Sequence, residues 1–255
     1  MAEKSPEKIP QRYFFVHMMK TGGTALVLRL RHHFGDAIYP TVEVDGTDMW
    51  ELYLLVDRLR EQLAARGDQI QLVAGHFPLC TSELLEGRFT TLTLLREPVD
   101  RMLSFLRSMR RDSLEEAHED FMVRTLDALN WHPALDPANN MTRMLSITPE
   151  EMERSKGARI PTTGEHLGRA KEALTGMGAI GVLECFEDFC SELTTRFGWN
   201  LGNSARANVS PSVEVSESLR ARIAENNSLD IELYAFAREL VRQRSGGSAS
   251  GTVPG

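Results

Sequence analysis

Lys20, Thr21, Gly22, Gly23 and Thr24 stand together in the stretch YFFVHMMKTGGTALVLRL, which begins at Tyr13. Apolar, strand-forming residues precede the group and helix-forming residues follow it, so the glycines fall where a strand turns into a helix. Such a turn points several backbone N–H groups at one spot, and the positive end of the helix dipole reinforces them. Gly22 and Gly23 permit the positive φ values and the close approach that this nest requires. An oxyanion, most plausibly a phosphate, is the expected occupant. Thr21 and Thr24 can add hydroxyl donors, and Lys20 enters from the strand side as a point charge.

The order of residues is not that of a Walker A loop, which places its Lys and Ser/Thr after the last glycine so that the hydroxyl can hold magnesium. Here the lysine comes first, and the later strand TTLTLLREP ends in Arg96 and Glu97 rather than in an aspartate for the metal. An ATP or GTP hydrolase is therefore disfavoured, although a nucleotide kinase or NTPase using the same loop stays as an alternative. The plainest reading is a tight turn with a solvated lysine.

A second constellation, LLREPVDRMLSFL, argues against that plain reading. Arg96 is expected at a strand's carboxyl end and Ser104 about two turns into the following helix. A guanidinium binds phosphate oxygens in bidentate fashion, and a hydroxyl beside it suits a second phosphate. The two constellations together suggest a ligand phosphorylated at two separated places.

The elements that must position these groups follow from periodicity. A strand over Tyr13–His17 leads through the glycine turn to a helix over Gly23–Phe34. A second helical pattern runs from Asp48 to Ala65, with Leu52, Leu55, Val56, Leu59 and Leu63 on one face. Its exposed apolar positions would suit a homodimer. QIQLVAGHF and FTTLTLLREP read as strands, and Pro98 opens a helix reaching about Arg111. Residues 114–130 read as helical. Residues 131–164 read as irregular and polar, with four prolines, as in a substrate-binding loop. AIGVL at 179–183 reads as a buried strand, followed by a helix through Phe197. Helical patterns from Val215 to Arg242 close the chain, with ENNSLDIEL as a helix boundary. Strands alternating with helices imply an α/β fold, a P-loop-like three-layer domain with a central, mostly parallel sheet and ligands beyond the strands' carboxyl ends. The expected organisation is a polar extension over 1–12, one domain over 13–244 and a flexible tail over 245–255.

Composition sets the remaining bounds. The 255 residues carry 42% hydrophobic residues and a formal charge of -7, which suits one large domain and argues against a general nucleic-acid binder. Any bound anion must be held by a local basic site. Cys80, Cys185 and Cys190 lack metal-ligand spacing and cannot all pair, so they read as small buried hydrophobes in a reducing compartment. There is no apolar run long enough to span a membrane and no secretory leader pattern, so a cytosolic protein is expected.

The stretches FFVHMMKTGGTAL, AGHFPL and TLLREPVDRMLSFL, in that order, resemble the PAPS-dependent sulfotransferases, in particular the carbohydrate branch that includes the heparan and uronyl 2-O enzymes. NNMTRML, GVLECFEDF and NSLDIELY echo the same family more weakly. Met19 departs from it, since many relatives carry proline before the lysine. The resemblance implies a PAPS cosubstrate, no metal and a saccharide or glycosylated small molecule as acceptor. The donor would be held by Lys20, Thr21, Gly22, Gly23, Thr24 and Ala25 at its 5′-phosphosulfate end and by Arg96 and Ser104 at its 3′-phosphate. Lys20 would stabilise the leaving oxygen. His76, in its GH setting after a strand, would be the general base, a role that histidine's near-neutral pKa suits.

His17 is a second candidate for the base but is expected rather to orient the loop or to meet substrate. Asn140 and Arg143 in NNMTRML are candidates to reach donor or acceptor. Arg101, Arg107, Arg110 and Arg111 read as a solvated helix face, with Arg101 as a possible brace for the 3′-phosphate. A non-catalytic nucleotide-binding module is the remaining alternative.

Overall fold

The computed structural model describes residues 11–40, 56–85, 87–109, 118–130, 137–156, 158–202 and 214–247. Among the described residues five strands, β1 (Arg12–Val16), β2 (Ile38–Tyr39), β3 (Leu72–Gly75), β4 (Phe89–Leu95) and β5 (Ala179–Val182), form one sheet in the order β2-β3-β1-β4-β5. All neighbouring pairs run parallel, with Val16 beside both Gly75 and Thr93 and with Leu95 beside Val182. Every carboxyl end therefore opens on the same edge.

Among the described residues the helices are, in chain order, α1 (Gly23–Phe34), α2 (Val56–Arg66), α3 (Thr81–Leu84), α4 (Pro98–Met109), α5 (His118–Asn130), α6 (Asn140–Ser146), α7 (Pro149–Ser155), α8 (Gly164–Gly176), α9 (Phe186–Phe197), α10 (Glu217–Asn226) and α11 (Ser228–Gly247). They form the two outer layers because each strand is apolar on both faces. Alternation along β1 sends Phe14 and Val16 into a core with Leu59 of α2, Leu145 of α6, Leu174 of α8 and Leu233 of α11. Tyr13 and Phe15 point the other way, to Leu26 and Leu30 of α1 and to Phe189 and Leu193 of α9. This is the three-layer α/β architecture that the strand–helix alternation predicts. A third apolar cluster joins Met102 and Leu106 of α4 to Met122 of α5 and Ile223 of α10.

The chain leaves β1 toward the β2–β3 side and leaves β4 toward β5, so their connections part in opposite directions. Between such strands an open α/β sheet has its binding crevice. The turn after β1 carries Lys20 and the turn after β4 carries Arg96.

Several expectations are corrected. Residues 140–146 and 149–155 are helical, not irregular. Pro149 sits in the first turn of α7, where its missing N–H costs nothing, and Thr148 forms a capping box with Glu151 through bonds of 2.9 and 3.2 Å. Strand β2 was not anticipated, because two residues carry no periodicity. Of the expected Asp48–Ala65 helix, positions 48–55 lie outside the described residues. In the rest, Leu59 is buried, and Val56 and Leu63 pack against the same core. Cys80 and Cys190 are buried as expected, but Cys185 is exposed.

Arg101 is the largest correction. It is wholly buried rather than solvated or beside a phosphate. Its Nη2 donates to Pro137 O at 2.5 Å and Asn227 Oδ1 at 3.3 Å, and lies 3.8 Å from Asp230 Oδ2. Asp230, also fully buried, accepts bonds from Met141 N and from Thr142 N and Oγ1. The ENNSLDIEL boundary is real, and its cause is remote in sequence: Asn139 Oδ1 accepts from Leu229 N and Asp230 N at the start of α11.

Candidate active site

The loop from His17 to Gly22 is closed by one of its own side chains. Thr21 is buried and donates its hydroxyl to Met18 O at 3.1 Å, which closes the turn from inside. Lys20 has φ +65° and Gly22 φ +87°. Left-handed residues in such a turn bring its successive N–H groups to bear on one place, the geometry of an anion nest. A side chain at Gly22 would meet Leu183 Cδ1 at 2.5 Å, in addition to the strain of its φ. Gly23 is needed for another reason: a Cβ there would collide with Cδ2 and Nε2 of the His17 ring. No side chain caps α1 and no acidic residue occupies its first turn, so its positive end is not countered locally. Thr24 is exposed and Ala25 part-buried on that turn.

Arg96 joins this loop to the end of β4, its Nη1 donating to Lys20 O at 3.2 Å. Thr93, buried on β4, donates to Val16 O at 3.1 Å and fixes the two strand ends together. Glu97 immediately precedes α4, and its Oε2 accepts from Asp100 N in the first turn at 2.7 Å. Ser104 is part-buried on α4, one turn beyond Asp100 and on the same face.

On the other side of β1, the turn after β3 delivers His76. Its Nδ1 lies 2.6 Å from His17 O. A carbonyl can only accept, so Nδ1 carries the hydrogen and Nε2 is the basic nitrogen of the neutral ring. The His76 ring stacks on that of His17 at 4.2 Å, and His17 stacks on Phe15 at 5.5 Å. Burial lowers the His76 pKa, the bond to His17 O opposes this, and the Lys20 charge lowers it further. His17 is held well below its ordinary value by burial first and by His76 second. Both rings are therefore neutral at neutral pH.

The structure thus brings Lys20, Thr21, Gly22, Gly23, Arg96, His17 and His76 to one edge of the sheet. Asn140 and Arg143 lie on α6, which is tied to the His76 turn by the Leu79 N bond to Met144 O at 2.8 Å. Asn140 is 4% exposed and its Oδ1 has no partner among the described residues, whereas Arg143 donates to Ala138 O. His166 caps α8 through its bond from Thr163 N, and His33 accepts from Asn200 N. The side chain of His118, all of His132 and Arg110 and Arg111 lie outside the described residues.

Glu184 is the neighbour whose position sequence alone did not reveal. From the end of β5 it accepts from Glu97 N at 3.2 Å and from Tyr234 OH at 2.6 Å, and so links β4, β5 and α11. Burial raises the Tyr234 pKa, and the Glu184 carboxylate adds to the rise. Among the described residues no group of three or more His, Cys, Asp or Glu is placed to share a metal ion, and no described helix is long and apolar enough to cross a membrane.

Fold and site together define a parallel α/β protein with a glycine-built turn, an arginine and a neutral histidine converging at the carboxyl ends of its central strands. No family model and no curated protein matches the chain. Among solved structures it is similar to the crystal structure of a sulfotransferase from Alicyclobacillus acidocaldarius, with 16% sequence identity and a TM-score of 0.45 over 92% of this chain and 97% of that one.

Proposed function

We propose that this chain is a sulfotransferase that moves the sulfuryl group of PAPS to an acceptor hydroxyl, that of a saccharide or glycosylated small molecule. The observation that supports the reading is the Arg96–Lys20 O bond at the crevice between β1 and β4, because it ties the glycine turn after β1 to the end of β4, the two places that would each hold an oxyanion. A donor with two anionic ends suits them. The first-turn N–H groups of α1, with Lys20 and Thr24, would hold the phosphosulfate, and Arg96 and Ser104 the 3′-phosphate.

In the transfer, the bond from sulfur to the bridging phosphate oxygen breaks and one from sulfur to the acceptor oxygen forms. Lys20 supplies positive charge where the bridging oxygen becomes anionic, and the preorganised N–H groups need no rearrangement to assist it. His76 Nε2 takes the acceptor proton. Its depressed pKa keeps that nitrogen unprotonated at neutral pH, at some cost in basicity.

The test is transfer from radiolabelled PAPS to a panel of saccharides with chelator present. Transfer should occur without added metal. Lys20→Ala and His76→Ala should each reduce it by about a hundredfold or more with the fold intact, and Arg96→Ala should weaken binding of the desulfated donor. Magnesium-dependent ATP turnover without sulfate transfer would overturn the reading in favour of a nucleotide kinase or NTPase. Tight donor binding with no transfer to any acceptor would leave a nucleotide-binding module instead.

A further inference from the structure

The two residues that follow β5 touch both turns of the candidate site. Leu183 backs the glycine turn, since a Cβ at Gly22 would come within 2.5 Å of its Cδ1. Glu184 reaches the turn after β4: its Oε1 accepts from Glu97 N at 3.2 Å, and Glu97 directly follows Arg96, whose Nη1 donates to Lys20 O. Glu184 is solvent-exposed, and a carboxylate in that setting ordinarily samples several rotamers and exchanges its partners with water. Here its second oxygen is fixed. Tyr234 of α11, only 7% exposed, donates its hydroxyl to Oε2 at 2.6 Å, a short charge-assisted bond. Leu233 and Ala237 on the same helix are wholly buried in the core, so the hydroxyl stands on an anchored element and cannot follow the carboxylate outward. The charge is the anomaly. A carboxylate bonded to the residue after Arg96 opposes the binding of any anion at these turns, so electrostatics alone would favour a neutral residue there. What the acid contributes is a pair of acceptor oxygens, each given to a different donor.

We propose that Glu184 and Tyr234 are positioning residues for donor binding: α11 holds the Glu184 carboxylate through Tyr234, and the carboxylate holds the backbone from which Arg96 reaches across to the Lys20 turn. The inference rests on the donor assignment made above and deepens it with two residues that touch no ligand themselves. Without the brace the spacing between the two turns loosens, and with it the affinity for a molecule that spans both. The effect passes through the bonds and not through the charge.

Calorimetry with adenosine 3′,5′-bisphosphate, the desulfated donor, tests this on the full-length protein, with Tm measured alongside. Tyr234→Phe and Glu184→Ala should each weaken the nucleotide about threefold to tenfold. The double variant should be no weaker than Glu184→Ala alone, since Tyr234 acts through Glu184. Glu184→Gln should bind at least as tightly as the wild type, because its amide can accept from Glu97 N and donate to the Tyr234 oxygen while the charge is gone. Arg242→Gln, on an exposed pair with Glu239, is the control and should change nothing. Unchanged nucleotide affinity in Tyr234→Phe and Glu184→Ala, with only Tm lowered, would reduce the brace to a structural bond and overturn the inference while the donor reading stands. Tighter binding by Glu184→Ala would overturn it equally, because the carboxylate would then act by its field alone. If the wild-type protein does not bind the bisphosphate, both fall. Should Glu184→Ala melt as an unfolded chain, Tyr234→Phe compared with Glu184→Gln decides the matter by the same criterion.

Discussion

Replacing Gly23 with alanine should expose how tightly the phosphate turn and the histidine pair are built into each other. A methyl group at Gly23 would lie inside contact distance of Cδ2 and Nε2 of His17 and 3.0 Å from its Cγ. The ring has little room to retreat, because it is stacked on His76 at 4.2 Å and on Phe15 at 5.5 Å. Overpacking of this kind costs about 1–3 kcal/mol. Against it stands the gain from alanine over glycine at a helical position, up to about 1 kcal/mol. The expected net is a loss of roughly 1–2 kcal/mol, seen as a fall in Tm of about 3–6 °C for a chain of this size. The informative measurement is a double-mutant cycle by urea unfolding. In a His17→Ala background the obstacle is gone, so Gly23→Ala should become neutral or stabilising. Equal destabilisation in both backgrounds would refute the steric account, because Gly23 is a helical residue without a positive φ and its backbone alone does not require glycine.

Two further outcomes follow from buried charge and from protons. Arg101→Met removes one partner of a fully buried pair and leaves Asp230 with only its three N–H and O–H donors; the loss in urea unfolding should be about 3–5 kcal/mol, and a change below about 1 kcal/mol would deny the pair its structural role. His17 and His76 both have pKa values lowered from 6.5 in the fold, so between the lowered and the ordinary value the unfolded chain binds more protons than the folded one. Stability should therefore rise with pH up to about 6.5 and fall as the pH drops below it. Urea midpoints at about pH 7 and about pH 5 should differ less in a His17→Phe/His76→Gln variant than in the wild type, and an unchanged difference would remove these rings as its cause.

Local patterning carried the anatomy of the site further than its contacts. The strand, the glycines and the helix of the first motif are contiguous, so their order alone indicates a turn with N–H groups converging at a helix start. Thr148-Pro149-Glu150-Glu151 is a capping signature equally open to reading, yet the four prolines of residues 131–164 point to a loop when they are read by composition alone. Arg101 shows the opposite situation. Its helix is amphipathic, but whether an arginine in one row meets water or a carboxylate depends on what packs there, and Asp230 is 129 residues away.

The amino-acid order by itself determined the alternation of strands and helices, the two glycine positions and the strand-end placing of Lys20, His76 and Arg96, because each follows from spacing within about twenty residues. Tertiary structure alone decided the tautomer and neutrality of His76, the wedging of His17 against Gly23 and the bridge from Glu184 to Tyr234. Those are contacts between segments brought together by parallel strand pairing, whose partners are chosen by how whole faces bury and not by any residue's neighbours in the chain.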